Sequence, residues 1–103
     1  MEQVNILYVG RNPEILETVV RLLNKKETWK GCGFLEDELA MQAFSQGDYD
    51  IVLLGPGIEE ADEQKLRAHC VQENADTIII QHYGGGSGLL YGEIMQALHE
   101  KSK

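Results

Sequence analysis

A stretch near the middle of the chain, Asp48 to Gly57, constrains the fold more than any other. It reads Asp-Tyr-Asp-Ile-Val-Leu-Leu-Gly-Pro-Gly: a polar start, a short run of apolar β-forming residues, and a break at Gly-Pro-Gly. A strand without polar alternation is typical of the middle of a parallel sheet, where both faces are buried. Gly55 to Gly57 should then lie at the carboxyl edge of the sheet, where open α/β folds place ligands and reactive groups. No side chain in Gly-Pro-Gly can act as an acid, base, nucleophile or ligand.

Segments with strand-like and helix-like patterns alternate along the chain. Apolar β-forming runs predict strands at 4–9, 29–35, 49–54 and 77–81. Apolar residues at helical spacing predict helices at 13–24, 36–46, 58–73 and 89–101. The residues predicted to face inward include Ile15, Leu39, Ala61 and Val71. This order predicts one α/β domain over 1–103, a flavodoxin-like three-layer α/β/α sandwich whose four parallel strands lie in the order 2-1-3-4.

The composition argues against several classes of function. The net charge is −8, whereas nucleic-acid binding needs clustered Lys and Arg. No apolar run is long enough to span a bilayer and the N-terminus has no signal-peptide pattern, so we expect a cytoplasmic protein without membrane contact. Cys32 and Cys70 fit no metal or redox spacing, and we expect neither a metal nor a cofactor. Met1 and the polar tail Lys101-Ser102-Lys103 have the character of natural chain ends.

Two segments of the chain resemble a known family. Residues 6–17, Ile-Leu-Tyr-Val-Gly-Arg-Asn-Pro-Glu-Ile-Leu-Glu, are similar to the first strand and helix opening of response-regulator receiver domains, the CheY-like family. Residues 40–55, ending Gly-Asp-Tyr-Asp-Ile-Val-Leu-Leu-Gly, are similar to the second helix and third strand of that family. The likeness is good over 4–57, loose through the fourth strand and poor at the C-terminus.

The positions that carry receiver chemistry differ in this chain. The resemblance implies two Mg²⁺-binding acids after the first strand, where this chain has Gly10 and Arg11. The phosphoacceptor aspartate at the end of the third strand is Gly55, and the hydroxyl residue after the fourth is His82. The fifth strand with its lysine is missing, and the loop Gly84 to Gly88 replaces its helix-strand unit. Without an attacking carboxylate and oxygen ligands for Mg²⁺, the resemblance implies a degenerate receiver that is not phosphorylated.

A second family is a weaker alternative. A four-stranded parallel sheet, Leu-Leu-Gly-Pro after the third strand and Tyr-Gly before the last helix also resemble the IIB phosphocarrier domains of cellobiose-type sugar phosphotransferase systems. Those domains carry a phosphorylated cysteine directly after the first strand, where this chain has Gly10. The IIB resemblance accounts better for the missing fifth strand, but it too lacks its nucleophile.

The loops at the carboxyl edge could still form an anion site. Arg11 beside a helix N-terminus, His82, and backbone amides freed by glycines could hold a phosphate or carboxylate. The alternative is that Arg11 is solvated, His82 closes the strand end and the glycines only form a turn. The glycine run has neither the spacing of a dinucleotide-binding loop nor the lysine of a Walker loop. The candidate ligand-binding residues are Arg11, Asn12, Gly55, His82, Gly84, Gly85, Gly86 and Ser87.

No catalytic residue is predicted, because His82 has no carboxylate near it in sequence to act as a partner. Tyr83 and Tyr91 flank the glycine loop and could form an aromatic contact surface. The fourth strand would be an exposed edge, which predicts a homodimer through that edge or the adjacent helices. The preferred interpretation is a non-enzymatic, receiver-like signalling or scaffolding domain that acts through protein partners. A small anion-binding or IIB-like phosphocarrier protein is the alternative.

Overall fold

The computed structural model describes residues 3–81 and 87–101, and of residues 87–89, 100 and 101 only the backbone. The elements are β1 (Val4–Val9), α1 (Pro13–Asn24), β2 (Trp29–Phe34), α2 (Asp37–Gln46), β3 (Ile51–Leu54), α3 (Glu60–Glu73), β4 (Ile78–Gln81) and α4 (Ser87–Lys101). All strand pairs are parallel and the strand order is β2-β1-β3-β4. The predicted fold class and strand order are therefore confirmed.

The central strand β3 is buried on both faces, as its unbroken apolar run predicts. Ile51, Val52, Leu53 and Leu54 are at most 1% exposed. The strand begins at Ile51, two residues later than predicted. The Asp50 carboxylate accepts a hydrogen bond from the Asn5 amide at 2.9 Å, and the Tyr49 ring stacks 6.0 Å from that of Phe44.

Side-chain alternation along the strands divides the core into two layers. One layer packs residues of α1 and α4 on one face of the sheet: Ile6, Tyr8, Val19, Leu23, Trp29, Ile51, Leu53, Leu90 and Ile94. The other packs residues of α2 and α3 on the opposite face: Leu7, Val9, Ala40, Phe44, Val52, Leu54, Leu66 and Cys70. The sheet is therefore the middle layer of the predicted sandwich.

Helix α1 begins where its local sequence indicates. Asn12 stays extended, and its side-chain oxygen accepts hydrogen bonds from the amides of Glu14 and Ile15 at 2.9 and 3.1 Å. Pro13 is the first helical residue, where its missing N–H leaves no hydrogen bond unmade. The cap fixes the direction in which α1 leaves the carboxyl edge of the sheet.

Four inward positions were predicted wrongly. Ile15 is 39% exposed, Leu39 is 48% exposed and Val71 is 55% exposed, and Ala61 is also exposed. Gly31 of the outer strand β2 lies against Leu23 and Gly33 lies against Val20, so residues of α1 other than Ile15 meet the sheet. In α3 only Leu66 and Cys70 are buried, so the rest of that helix lies at the surface.

The last helix lies on the α1 side of the sheet. Leu90 and Ile94 are at most 1% exposed in the α1 layer, and the Tyr91 hydroxyl donates to the Leu22 carbonyl at 2.9 Å. Only residues 82–86 separate β4 from α4, too few for a further helix-strand unit. Within the described residues, β4 is therefore the outer strand on its side of the sheet.

Candidate functional site

The loops that follow β1 and β3 meet at the carboxyl edge. The Gly10 amide donates to the Phe34 carbonyl at 3.1 Å, and the Gly55 amide donates to the Val9 carbonyl at 2.7 Å. These hydrogen bonds continue the strand pairing one step beyond the sheet. Gly10 and Gly55 are both buried, and they are the positions at which a receiver-type site would have its acids.

The ring of Tyr8 fills the space beside these two glycines. A side-chain carbon at Gly10 would lie 2.7 Å from the Tyr8 ring, and one at Gly55 would overlap the phenol oxygen. Tyr8 is 1% exposed, and burial raises the pKa of its hydroxyl above the ordinary value, so the group stays a neutral phenol. Any side chain at position 55 requires Tyr8 to move.

The turn after Gly55 requires glycine once more. Gly57 has a φ of 90°, which residues with a side chain rarely adopt. Gly57 also lies beside the side chain of Arg11, because a carbon added to Gly57 would lie 3.5 Å from the Arg11 Cβ. The backbone of this turn therefore packs against the side chain that follows β1.

Arg11 is held by two acids from the neighbouring helices. Its Nη2 lies 2.8 Å from Asp37 Oδ1, donates to Asp37 Oδ2 at 2.9 Å, and lies 3.4 Å from Asp62 Oδ2. Its Nη1 donates to the Leu35 carbonyl at 3.1 Å. The Oδ1 atom of Asp37 is buried and has no hydrogen bond of good geometry among the described residues, so it depends on the charge of Arg11. The guanidinium thus has two internal carboxylate partners.

The other candidates for the anion site have different surroundings. Asn12 uses its side-chain oxygen to cap α1. Ser87 is the first residue of α4, and its side chain is not described. His82 and Gly84 to Gly86 lie outside the described residues, as does Tyr83. The anion site stays a prediction. Its only described cation, Arg11, would have to exchange carboxylate partners for a ligand.

Sequence reasoning missed the residues that fill and neutralise this edge. Tyr8 lies two residues before Gly10 and therefore on the same face of β1. A large ring on the face where two strands end in glycine is the sequence feature that could have indicated this packing. Asp37 begins α2 and Asp62 lies in the first turn of α3. Both helices follow strands of a parallel sheet, so both acids start from the edge where Arg11 lies.

A cluster of Ser45, His69 and Glu73 joins α2 to α3 at the surface. Ser45 Oγ lies 2.9 Å from His69 Nε2 and donates to Glu73 Oε1 at 2.8 Å. The same Nε2 lies 3.2 Å from the Met41 carbonyl. In a catalytic triad the serine hydroxyl donates to the histidine, and the acid holds the other ring nitrogen. Here the serine donates to the acid, so the arrangement connects two helices and does not activate a nucleophile.

Neither cysteine has the surroundings of a reactive thiol. Burial raises the pKa of Cys70 to about 11, and that side chain is only 2% exposed. Cys32 Sγ lies 3.2 Å from the Tyr49 hydroxyl. Burial, and then the Cys32 contact, raise the pKa of Tyr49 to about 12. No group of three or more His, Cys, Asp or Glu side chains suited to a metal ion occurs in the described part of the chain.

No helix within the described ranges is both long and apolar enough to cross a membrane.

Comparison with known proteins gives a clear answer for the fold. No protein-family model matches the chain, and no curated protein matches it. A chain from the complex of histidine kinase ThkA with response regulator protein TrrA aligns with a TM-score of 0.72 and 21% identity, over 93% of this chain and 99% of that one. The fold is that of receiver domains.

Two further solved structures agree. A CheY-like response regulator receiver domain from Methylobacillus flagellatus aligns with a TM-score of 0.67 and 14% identity, covering 93% of this chain and 99% of that one. A signal receiver domain of an HD domain-containing protein from Pseudomonas fluorescens Pf-5 aligns with a TM-score of 0.68 and 16% identity, over 98% of each chain. The predicted resemblance to receiver domains is confirmed for the fold.

Proposed function

We propose that this chain is a receiver-like signalling or scaffolding domain that acts through protein contacts and takes no phosphoryl group. It is not an enzyme in this proposal. Receiver folds in general serve signalling, and the ThkA–TrrA structure is a complex between two proteins. A cytoplasmic location remains part of the proposal and rests on the sequence pattern alone.

The observation that carries the proposal is the packing of Tyr8 against Gly55. In receiver domains, by resemblance, an aspartate at this position attacks the phosphoryl group, and glycine has no atom that could do so. The space that such a side chain would occupy contains the Tyr8 ring. Where the resemblance places acids for Mg²⁺, Arg11 supplies a positive charge that Asp37 and Asp62 already balance.

The test is exposure of the intact chain to a small phosphoryl donor. We expect that acetyl phosphate with Mg²⁺ leaves the mass of the chain unchanged. We also expect that beryllofluoride with Mg²⁺ moves no amide signal of Gly10, Arg11 or Gly55 in a two-dimensional NMR spectrum. A receiver domain with an intact aspartate, treated alongside, is the positive control. A phosphoryl adduct on any residue of this chain would contradict the proposal.

A homodimer through β4 is a second part of the proposal. Ile78, Ile79 and Ile80 are half-buried in a strand that has a neighbour on one side only, within the described residues. The Ile78 amide donates to the Asp50 carbonyl at 3.0 Å, so it points toward β3. Backbone groups alternate along a strand, and the Ile79 amide therefore points to the outer side, where a second copy could pair with it.

Replacement of Ile79 by proline removes this outward donor, and replacement by alanine keeps it. Both variants lose the same packing of the Ile79 side chain, so alanine is the matched control. We expect light scattering over a range of concentrations to show a dimer for the parent chain and for Ile79→Ala, and a monomer for Ile79→Pro. A parent chain that is monomeric at high concentration would remove the dimer from the proposal and leave the rest of it intact.

A further inference from the structure

The amino-terminal end of the molecule carries an open apolar cleft that the proposed function does not use. It has a volume of about 290 Å³ and is lined by Lys25, Lys26, Trp29, Tyr91 and Met95. The first residue of β2, the end of α1 and the middle of α4 form its walls. It lies at the opposite end of the sheet from Gly55.

Aromatic contacts fix the floor of this cleft. The rings of Trp29 and Tyr91 lie 5.4 Å apart at 51°, and the Tyr91 hydroxyl is anchored on the Leu22 carbonyl. Trp29 is 3% exposed, so it is a rigid part of the core. Met95, by contrast, is 51% exposed and forms a flexible apolar wall. A fixed aromatic floor beside a pliable thioether suits a large apolar side chain from outside.

The charge around the cleft is opposite to that of the whole chain. Although the net charge is −8, residues 21–26 contain three of the nine Lys and Arg residues and no acid, and Glu27 is the first acid that follows them. The Lys26 Nζ lies 5.5 Å from the centre of the Trp29 ring. Among the described residues, neither Lys25 nor Lys26 has an ion pair with a carboxylate. Two ammonium groups that have no carboxylate partner among the described residues therefore border an apolar cavity.

We propose that this cleft binds an acidic linear segment of a partner protein that inserts one large apolar side chain between Trp29, Tyr91 and Met95 and places carboxylates at Lys25 and Lys26. The volume of about 290 Å³ is large enough for a side chain of the size of Phe or Leu. The two adjacent ammonium groups select carboxylates on either side of that anchor. The acidic remainder of the protein repels such a segment, so the electrostatic attraction is confined to the cleft.

The inference rests on the proposed function, since it presumes that the chain works through protein contacts. The probe is a synthetic peptide of sequence Glu-Asp-Phe-Leu-Asp-Glu with blocked ends. One control peptide replaces its acids by Lys, and another replaces Phe-Leu by Ser-Ser. Trp29 is the chain's single tryptophan, so its fluorescence reports this cleft alone. We expect the acidic apolar peptide to shift the emission saturably and both controls to leave it unchanged.

Variants locate the binding. Lys25→Glu with Lys26→Glu should weaken binding by about tenfold or more. Lys30→Glu with Lys65→Glu changes the net charge by the same amount at exposed positions outside the cleft, and it should leave the affinity within about twofold. Met95→Ser removes only the apolar wall and should weaken binding about fivefold. An amide NMR spectrum of each variant confirms that the fold is retained.

Three results would overturn the inference. They are absence of an emission shift up to millimolar peptide, equal losses in both double-lysine variants, or peptide-induced amide shifts that map to the carboxyl edge. Emission that changes with protein concentration without peptide would assign the cleft to a second copy of the chain, which also contradicts it. None of these outcomes bears on phosphorylation, so failure here is distinguishable from failure of the proposed function.

Discussion

The two ends of the sheet use their polar and aromatic residues in opposite ways. At the carboxyl edge, Tyr8 fills the space beside Gly55, and Arg11 is neutralised by Asp37 and Asp62. At the amino edge, Trp29 and Tyr91 floor an open cleft, and the lysines beside it have no carboxylate partner among the described residues. The carboxyl edge satisfies its own groups internally, whereas the cleft at the amino edge leaves its lysines available to a partner.

This difference teaches that a parallel sheet can close one of its edges by packing and leave a cleft open at the other. The Tyr8 ring and the ion pairs of Arg11 at the carboxyl edge add to the core. Variants at the two edges should therefore affect different properties. Changes at the carboxyl edge should cost folding stability, and changes at the amino edge should cost binding.

The largest effect is expected for Gly55→Asp. Its side chain would overlap the Tyr8 phenol and place a carboxylate in a buried position, so we expect a loss of about 3 kcal/mol in the free energy of unfolding. Denaturant unfolding measures it. Tyr8→Leu opens the space, and the double variant should recover part of the loss. If Gly55→Asp costs no stability, either alone or together with Tyr8→Leu, then Tyr8 does not fill the carboxyl edge. The contrast between the two edges would then be wrong.

Arg11→Ala should have the next largest effect. It leaves Asp37, whose side chain is 17% exposed, without its charged partner, and we expect a loss of about 1 to 2 kcal/mol. Arg11→Lys keeps the charge but not the forked geometry and should lose less. Asp62→Asn is a milder control because Asp62 is 43% exposed. Stability unchanged in Arg11→Ala would mean that the guanidinium is free, as the anion-site prediction requires.

A pH series examines the amino edge through Tyr49. Its pKa in the folded chain is raised from 10.0 to about 12, so folding favours the neutral phenol. The resulting stability is fully present below pH 10 and is lost as the pH rises toward 12. Since Tyr49 is half-exposed, we expect this contribution to stay below about 1 kcal/mol. The midpoint temperature of thermal unfolding should therefore fall less steeply with rising pH in Tyr49→Phe than in the parent. Equal slopes in the two proteins would contradict the burial of this hydroxyl.

The smallest stability effects are expected in the open cleft. Met95→Ser and the Lys25→Glu, Lys26→Glu pair change exposed groups, so each should alter the free energy of unfolding by no more than about 0.5 kcal/mol. Calorimetry or denaturant unfolding checks this. A loss comparable to that of Gly55→Asp would show that the amino edge is as tightly packed as the carboxyl edge, which would remove the difference between them.

Periodicity and turn residues were sufficient to predict the architecture. The apolar run of β3, the Asn12-Pro13 start of α1 and the strand-helix alternation depend on local sequence, so strand order and layers followed from general rules. Burial at an outer strand depends instead on what the neighbouring element offers. Leu39 carries an apolar side chain at helical spacing, but Ala40 and Phe44 are the α2 residues that the fold buries.

The candidate site was harder to predict because its contacts join distant parts of the chain. Arg11 was identified as a cation at the carboxyl edge, but its pairing with Asp37 and Asp62 depends on how three elements converge. The cleft at Trp29 likewise needs α4 to return to the α1 side. A sequence pattern gives the position of a residue in its element, but not the partner that the fold brings to it.

The place of α4 has a consequence for synthesis of the chain. Its residues Leu90 and Ile94 complete the layer that covers Ile6 and Tyr8 of the first strand. A nascent chain that has left the ribosome only as far as β4 therefore presents this apolar face to water until the last helix emerges. During that interval the exposed apolar face favours aggregation, because exposed apolar surface and unpaired strand edges promote it.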